Sequence, residues 1–159
     1  MLDEASGRVA AMAAAQRVLY GKTDATRFEA AEFLQAVCET AKQTLPPGVA
    51  LQCRPAAGVL SNDIAMPLAL ILNELITNAV KHGCKDHKGC TVRVDLTARD
   101  GMFELSVEDD GEGFELESVR KASSGLQLVL GLSRQLHGSI EVTRNPSKVL
   151  LRFAAERAS

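Results

Sequence analysis

Read for the spacing of hydrophobic and polar positions, the chain opens in helices and continues in strands. Residues 5–20 (ASGRVAAMAAAQRVLY) favour a helix: Ala is the best helix former, and Val9, Met12, Gln16 and Leu19 recur at spacings of three and four. Gly21 supplies a stop. After a polar link, Glu29–Leu45 shows the helical period again, with Phe33, Leu34, Val37, Cys38 and Ala41 on one side. Pro46-Pro47-Gly48 ends it, because proline lacks the amide proton and clashes with the preceding turn. VALQCR (49–54) alternates as a short strand, and a third helix runs from about Ile64 to Lys81. TVRVDLTA (91–98) and MFELSVED (102–109) alternate as strands, joined by the hairpin signal Arg99-Asp100-Gly101. DDGEGF (109–114) reads as a turn, and residues 115–124 carry no strong period. Gly125–Leu136 reads as a helix closed by Gly138, before a last hairpin, SIEVTR and KVLLRFA, around Asn145-Pro146-Ser147. Helices beside roughly five strands predict an α+β fold, a two-layer sandwich. The first helix has no assigned partner and is expected to stand apart.

Composition narrows the function classes. At 159 residues the chain has the length of one domain, or of a domain with a short appendage. Eighteen basic against twenty acidic residues leave a net charge of −2, too little to draw the chain to nucleic acid or anionic lipid. Aromatic residues make up 4% and Trp is absent, so base stacking has little to work with. No run approaches eighteen uninterrupted apolar residues, and no membrane span is expected within this chain. The start, MLDEASGR, is acidic where a signal peptide is basic and then apolar. Cys38, Cys53, Cys84 and Cys90 are accordingly expected as reduced thiols of a cytoplasmic chain.

The segment LALILNELITNAVKHG (68–83) changes the picture most. On a 3.6-residue period Leu68, Ile71, Leu72, Leu75, Ile76 and Ala79 form the core face. The opposite stripe is Asn73, Glu74, Thr77, Asn78 and Lys81. A solvated helix face is normally built from Glu, Lys, Gln or Arg; two Asn and a Thr cost a few tenths of a kcal/mol each. Glu74 and Asn78 are four apart, so their oxygens converge, and a carboxylate beside an amide oxygen could activate a water and ligate Mg²⁺. Downstream, an alternating strand runs into Asp109-Asp110-Gly111-Glu112-Gly113. Glycines two apart let the backbone turn and approach a ligand, and the strand-end carboxylate can accept a hydrogen bond from an exocyclic amine such as adenine's. In SSGLQLVLGL (123–132) small residues open a helix whose free amides suit phosphate. Each glycine signal taken singly is also an ordinary turn or N-cap.

Together, and in this order, the three segments resemble the GHKL (Bergerat-fold) ATPases. LILNELITNAVKHG resembles their N box, VEDDGEGF the first glycine box and SSGLQLVLGLSRQLHG the second. The wording PLALILNELITNAVKHG and SGLQLV is most similar to sensor histidine kinases of the HWE-like branch. ASGRVAAMAAAQRVLYG resembles the end of that branch's dimerisation and phosphoacceptor domain. The resemblance implies a mixed, largely antiparallel sheet packed on helices, with residues 1–22 as the last dimerisation helix and 23–159 as the ATP-binding catalytic domain. It implies ATP and Mg²⁺ as cofactors. Glu74 becomes the catalytic residue that polarises the attacking group, and Asn78 the Mg²⁺ ligand. Asn73, Lys81 and His82 fall on the cofactor side, with Lys81 reaching phosphate or ribose. Asp109 hydrogen-bonds the adenine amine, Gly111 and Gly113 shape the pocket floor, and Ser124, Gly125 and Leu126 lie at the phosphate end.

Two departures from the pattern qualify this expectation. The second glycine box has Ser123-Ser124-Gly125 where the family offers two glycines, and only eleven residues separate Gly113 from Gly125, leaving a very short lid. The three histidines (His82, His87, His137) all lie outside the first helix, so the acceptor histidine is expected outside this chain. The implied partners are a histidine-bearing dimerisation domain and a response regulator, in a homodimeric parent protein. An alternative is a degenerate module that docks a response regulator without using ATP; intact Glu74, Asn78, Asp109 and Gly113 argue against such decay. A local competitor is a zinc site from His82, Cys84, His87 and Cys90, spaced more tightly than paired zinc knuckles.

Overall fold

The computed structural model describes residues 2–20, 26–54, 57–84, 89–111, 124–144 and 146–155. In chain order the elements are α1 (Leu2–Tyr20), β1 (Arg27–Glu29), α2 (Ala30–Lys42), β2 (Val49–Arg54), β3 (Val59–Ser61) and α3 (Asn62–Asn78). They continue with a π turn (Ala79–Gly83), β4 (Cys90–Arg99), β5 (Met102–Asp109), α4 (Ser124–Gln135), β6 (Ser139–Thr143) and β7 (Ser147–Ala154). Five strands form one sheet in the order β2-β4-β5-β7-β6. β2 pairs with β4 in parallel; the other three pairings are antiparallel. The expected mixed, largely antiparallel sheet of an α+β sandwich is what forms.

Alternation sets the two faces of the sheet. Val92, Val94, Leu96, Phe103, Leu105, Val107, Val149, Leu151 and Phe153 are buried with the helices. The opposite face is charged: Arg152 bridges Glu104 at 2.8 Å and Glu141 at 3.1 Å. The β4–β5 hairpin closes through Asp100 (φ 53°) and Gly101 (φ 79°), the left-handed pair that a two-residue turn requires. The sequence pattern missed the small antiparallel pair β1–β3, which is too short to show a period.

Helix α4 ends differently from the expectation. His137 takes the left-handed position (φ 55°), and Gly138 N–H reaches back to the Ser133 carbonyl at 2.8 Å, a Schellman end. Gly138 is required for a different reason, since a Cβ there would stand 2.7 Å from the Arg152 carbonyl oxygen.

Helix α1 corrects the expectation of a separate element. It packs against both α2 and α3, and its buried face is Ala11, Ala14 and Ala15, while Val9 is 61% exposed. Small side chains let three helices approach closely, and that proximity outweighs the apolar bulk of Val9. The three-and-four spacing of Val9 and Gln16 therefore pointed to the wrong face. Helix α3 is flanked by α1, α2 and α4 and is buried on nearly all sides. Residues Asn62–Gly83 are long and apolar enough by composition to cross a membrane, so composition alone does not decide the matter; its apolar window is 67% buried inside this fold, as a core helix is.

The cysteines also differ from the expectation of reduced thiols. Cys38 of α2 is bonded to Cys53 of β2, and Cys84, after the π turn, to Cys90 of β4. Packing α2 on the sheet brings the first pair together; closing the loop after the π turn onto β4 brings the second. Cys84 and Cys90 therefore hold no free thiolates for a zinc ion, His87 lies outside the described residues, and no metal-binding cluster occurs among the described residues.

Candidate functional site

The polar stripe of α3 is not a solvated face. Glu74 and Asn78, one turn apart, are both buried, while Asn73 and Thr77 are half-buried and Lys81 and His82 in the π turn are exposed. The Glu74 carboxylate is satisfied across the helix interface by Arg8 of α1, whose Nε donates to Oε1. Thr77 Oγ1 donates back to the Asn73 carbonyl at 2.8 Å. The side-chain Nδ2 of Asn78 is buried with no hydrogen-bond partner among the described residues. A buried amide without a partner costs about 1–3 kcal/mol, so its place is suited to a bound group that supplies one.

The second cluster lies where the π turn meets the end of β5. Asp109 is buried; its Oδ1 accepts from Gly111 N–H at 2.7 Å and its Oδ2 from Ser147 Oγ at 3.0 Å. Burial pushes the Asp109 carboxyl above the ordinary carboxylate range, against the opposite pull of the Gly111 and Ser147 hydrogen bonds. The backbone closes in tightly here: a Cβ on Gly83 would overlap the Asp109 carboxylate, and one on Gly111 would overlap the Gly83 backbone. The neighbouring Asp110 is perturbed in the other direction. Arg93 Nη2 donates to it at 2.8 Å and Thr91 N–H at 2.9 Å, and the guanidinium, aided by that amide, holds the carboxyl below its usual range.

The third segment opens α4. Ser124 begins the helix, and Gly125 and Leu126 are buried in its first turn, on a helix that packs against α3. Gly113 lies outside the described residues. An open cleft of about 760 Å³ lies between α1, α2 and α3, with Gly7, Thr40, Asn73, Glu74, Thr77 and Lys81 among its walls. Neither Asp109 nor Gly111 lines it, so it is distinct from the Asp109 cluster. Sequence reasoning missed Arg8, Ser147 and Gly83 as parts of these clusters. Gly83 was legible as the glycine that closes the helix; Ser147 and Arg8 reach their partners only through tertiary contacts.

The model of the "Histidine kinase-, DNA gyrase B-, and HSP90-like ATPase" family matches residues 63–156, more than half of the chain. The chain belongs to this family. As a histidine kinase-like ATPase domain it is 35% identical, over 113 residues, to the sensor histidine kinase PdtaS of Mycolicibacterium smegmatis. That match covers 64% of this chain and 22% of PdtaS, so the chain spans about a fifth of that relative's length. Its fold resembles the histidine kinase domain of the Erythrobacter litoralis EL346 blue-light activated histidine kinase, with TM-score 0.80 and 20% identity, over 96% of this chain and 79% of that one. It also resembles the ATP binding domain of PrrB from Mycobacterium tuberculosis, with TM-score 0.62 and 20% identity, over 86% of this chain and 100% of that one. The matched family range contains α3, the Asp109 cluster and α4.

Proposed function

We propose that this ATPase domain is the catalytic part of a two-component sensor histidine kinase and moves the γ-phosphate of ATP to a histidine outside this chain. The observation that carries the reading is the buried polar face of α3, where Glu74 and Asn78 project together and the Asn78 Nδ2 donor has no partner among the described residues, leaving it to an acceptor such as a phosphate oxygen. In this reading the Asn78 amide oxygen would hold Mg²⁺, a hard cation that takes oxygen ligands. Bound Mg²⁺ neutralises charge developing on the phosphate oxygens. Glu74 orients and polarises the attacking group, Asp109 accepts from the adenine amine, and Gly83 and Gly111 keep the backbone close beneath it. Lys81 reaches phosphate or ribose, and His82, exposed beside it, and Asn73 lie on the cofactor side; Gly113 shapes the pocket floor with Gly111, and Ser124, Gly125 and Leu126 border the phosphates.

Phosphoryl transfer asks mainly for positioning and charge stabilisation, which suits side chains fixed on a buried helix. Residues 1–22 read as the last helix of a dimerisation domain, and the parent as a homodimer of the HWE-like branch that passes phosphate to a response regulator in the cytoplasm. The test is calorimetry with a non-hydrolysable ATP analogue and Mg²⁺. Binding is expected, and about ten- to hundredfold weaker in Asp109→Asn, from the loss of a charged hydrogen bond. Absence of binding by the unaltered chain would favour a docking module that no longer uses ATP. Glu74→Ala is expected to bind nucleotide yet lose about a hundredfold or more in phosphotransfer. Incubated alone with Mg-ATP, the chain is expected to take up no acid-labile, alkali-stable phosphate; such a label would contradict an external acceptor.

A further inference from the structure

Helix α1 does more than cover the α2–α3 groove. Its second turn carries Arg8, whose Nε donates to Oε1 of Glu74, and the Glu74 side chain is 7% exposed against 31% for Arg8. The pair is set by packing. Ala11, Ala14 and Ala15 are buried at the helix interface, and a Cβ on Gly7 would rest in ordinary contact with Asn73 Oδ1 of α3 at 3.4 Å.

We infer that α1 is a latch: Arg8 withholds the Glu74 carboxylate from phosphoryl chemistry, and release of α1 frees it. This rests on the assignment of Glu74 proposed above. A guanidinium bound to Oε1 occupies acceptor lone pairs that would otherwise be open to an incoming nucleophile. Among the described residues Arg8 is the hydrogen-bond partner of this carboxylate. The small-residue interface makes the latch reversible, since Ala and Gly side chains lose little apolar contact and no rotamer freedom when helices dock or separate. The latch acts at the reacting carboxylate and leaves the Asp109 cluster untouched, so it controls turnover and not nucleotide affinity.

The experiment uses the whole chain. Hydrolysis of Mg-ATP by water is followed as phosphate release in the unaltered protein, Arg8→Ala and the near-isosteric Arg8→Gln, with binding of a fluorescent ATP analogue measured on each. Both variants are expected to turn over about tenfold faster, a fraction of the ~10²–10⁴ that a positioned general base supplies, with nucleotide affinity within about threefold of the original. A second readout needs no nucleotide. Amide hydrogen exchange of residues 2–20 is expected to speed up about tenfold in Glu74→Gln, which removes the charge and keeps the shape. Equal or slower hydrolysis with intact nucleotide binding overturns the latch and leaves the ATPase reading in place. Unchanged exchange of α1 in Glu74→Gln also overturns it, even where the Arg8 variants fail to fold. Failure of every form to bind the analogue overturns the latch together with the assignment it rests on.

Discussion

Asp109 and Asp110 are adjacent in sequence and opposite in chemistry. The strand alternation turns Asp109 inward, where burial raises its carboxyl above the ordinary range, and leaves Asp110 outward, where Arg93 lowers its own. Their links to stability therefore have opposite signs. A raised native value means that the folded state holds the proton longer, so the contribution of Asp109 is greatest below the ordinary carboxylate range and declines as pH rises through its raised value. The contribution of Asp110 is present above the ordinary range and is lost as pH falls through its depressed value. Asp109→Asn should thus leave the nucleotide-free chain at least as stable at neutral pH as the original, in urea titrations across pH 3–7, while weakening ATP binding. A clear loss of stability at neutral pH would show that the Gly111 and Ser147 hydrogen bonds outweigh burial. His137 offers a separate gain. A left-handed backbone costs a side-chain-bearing residue about 1–2 kcal/mol, so His137→Gly should stabilise by roughly 0.5–1 kcal/mol after the greater freedom of glycine in the unfolded chain. The shift in the urea midpoint measures it.

At the scale of elements, the clearest periodicities were the most reliable guides. Leu68, Ile71, Leu72, Leu75 and Ile76 of α3 lie in the core as their spacing requires, and the strands of 91–98 and 102–109 pair through the expected hairpin. The buried polar stripe of α3 was also legible, because Asn and Thr are poor choices for a solvated helix. What was not legible depends on neighbours far away in sequence. Alanine carries no directional signal, so the face of α1 could not be read; Arg8 finds Glu74 across 66 positions, and Ser147 finds Asp109 across 38. The short strands β1 and β3 are held by each other and not by any local pattern. The interface of α1 can be tested without touching Arg8 or Glu74. Ala14→Leu enlarges a side chain at a fully buried position between helices and should destabilise by about 1–3 kcal/mol. Hydrogen exchange should place the loosening in α1 and the facing turns of α2 and α3; an even loss across the sheet would argue against a local contact.

For the molecule as a whole, the covalent ties each anchor one strand of the sheet's parallel pair. Cys38–Cys53 joins α2 to β2 across a separation of 15 residues, and Cys84–Cys90 joins the end of the π turn to β4 across 6. Loop-closure entropy for a 15-residue loop is worth about 3 kcal/mol, so a reductant should lower the stability of the oxidised chain by an amount of that order. Cys38→Ser with Cys53→Ser should lose the same amount and no longer respond at that site. A chain whose midpoint ignores reductant would have its thiols unpaired in solution.

The arrangement of α1 has a mechanical consequence. Ala14 and Ala15 have no exposed surface, and Arg8 lies six positions from Ala14, about 9 Å along a helix that rises 1.5 Å per residue. Pivoting on those alanines, the helix is a lever with arms of about equal length to Arg8 and to Tyr20, and one of them carries the guanidinium. A tilt of about 10° swings Arg8 through roughly 1.5 Å, enough to turn a formed hydrogen bond into a broken one. Torque applied near Tyr20, on the other arm, would therefore be read at Glu74 without any rearrangement of the sheet.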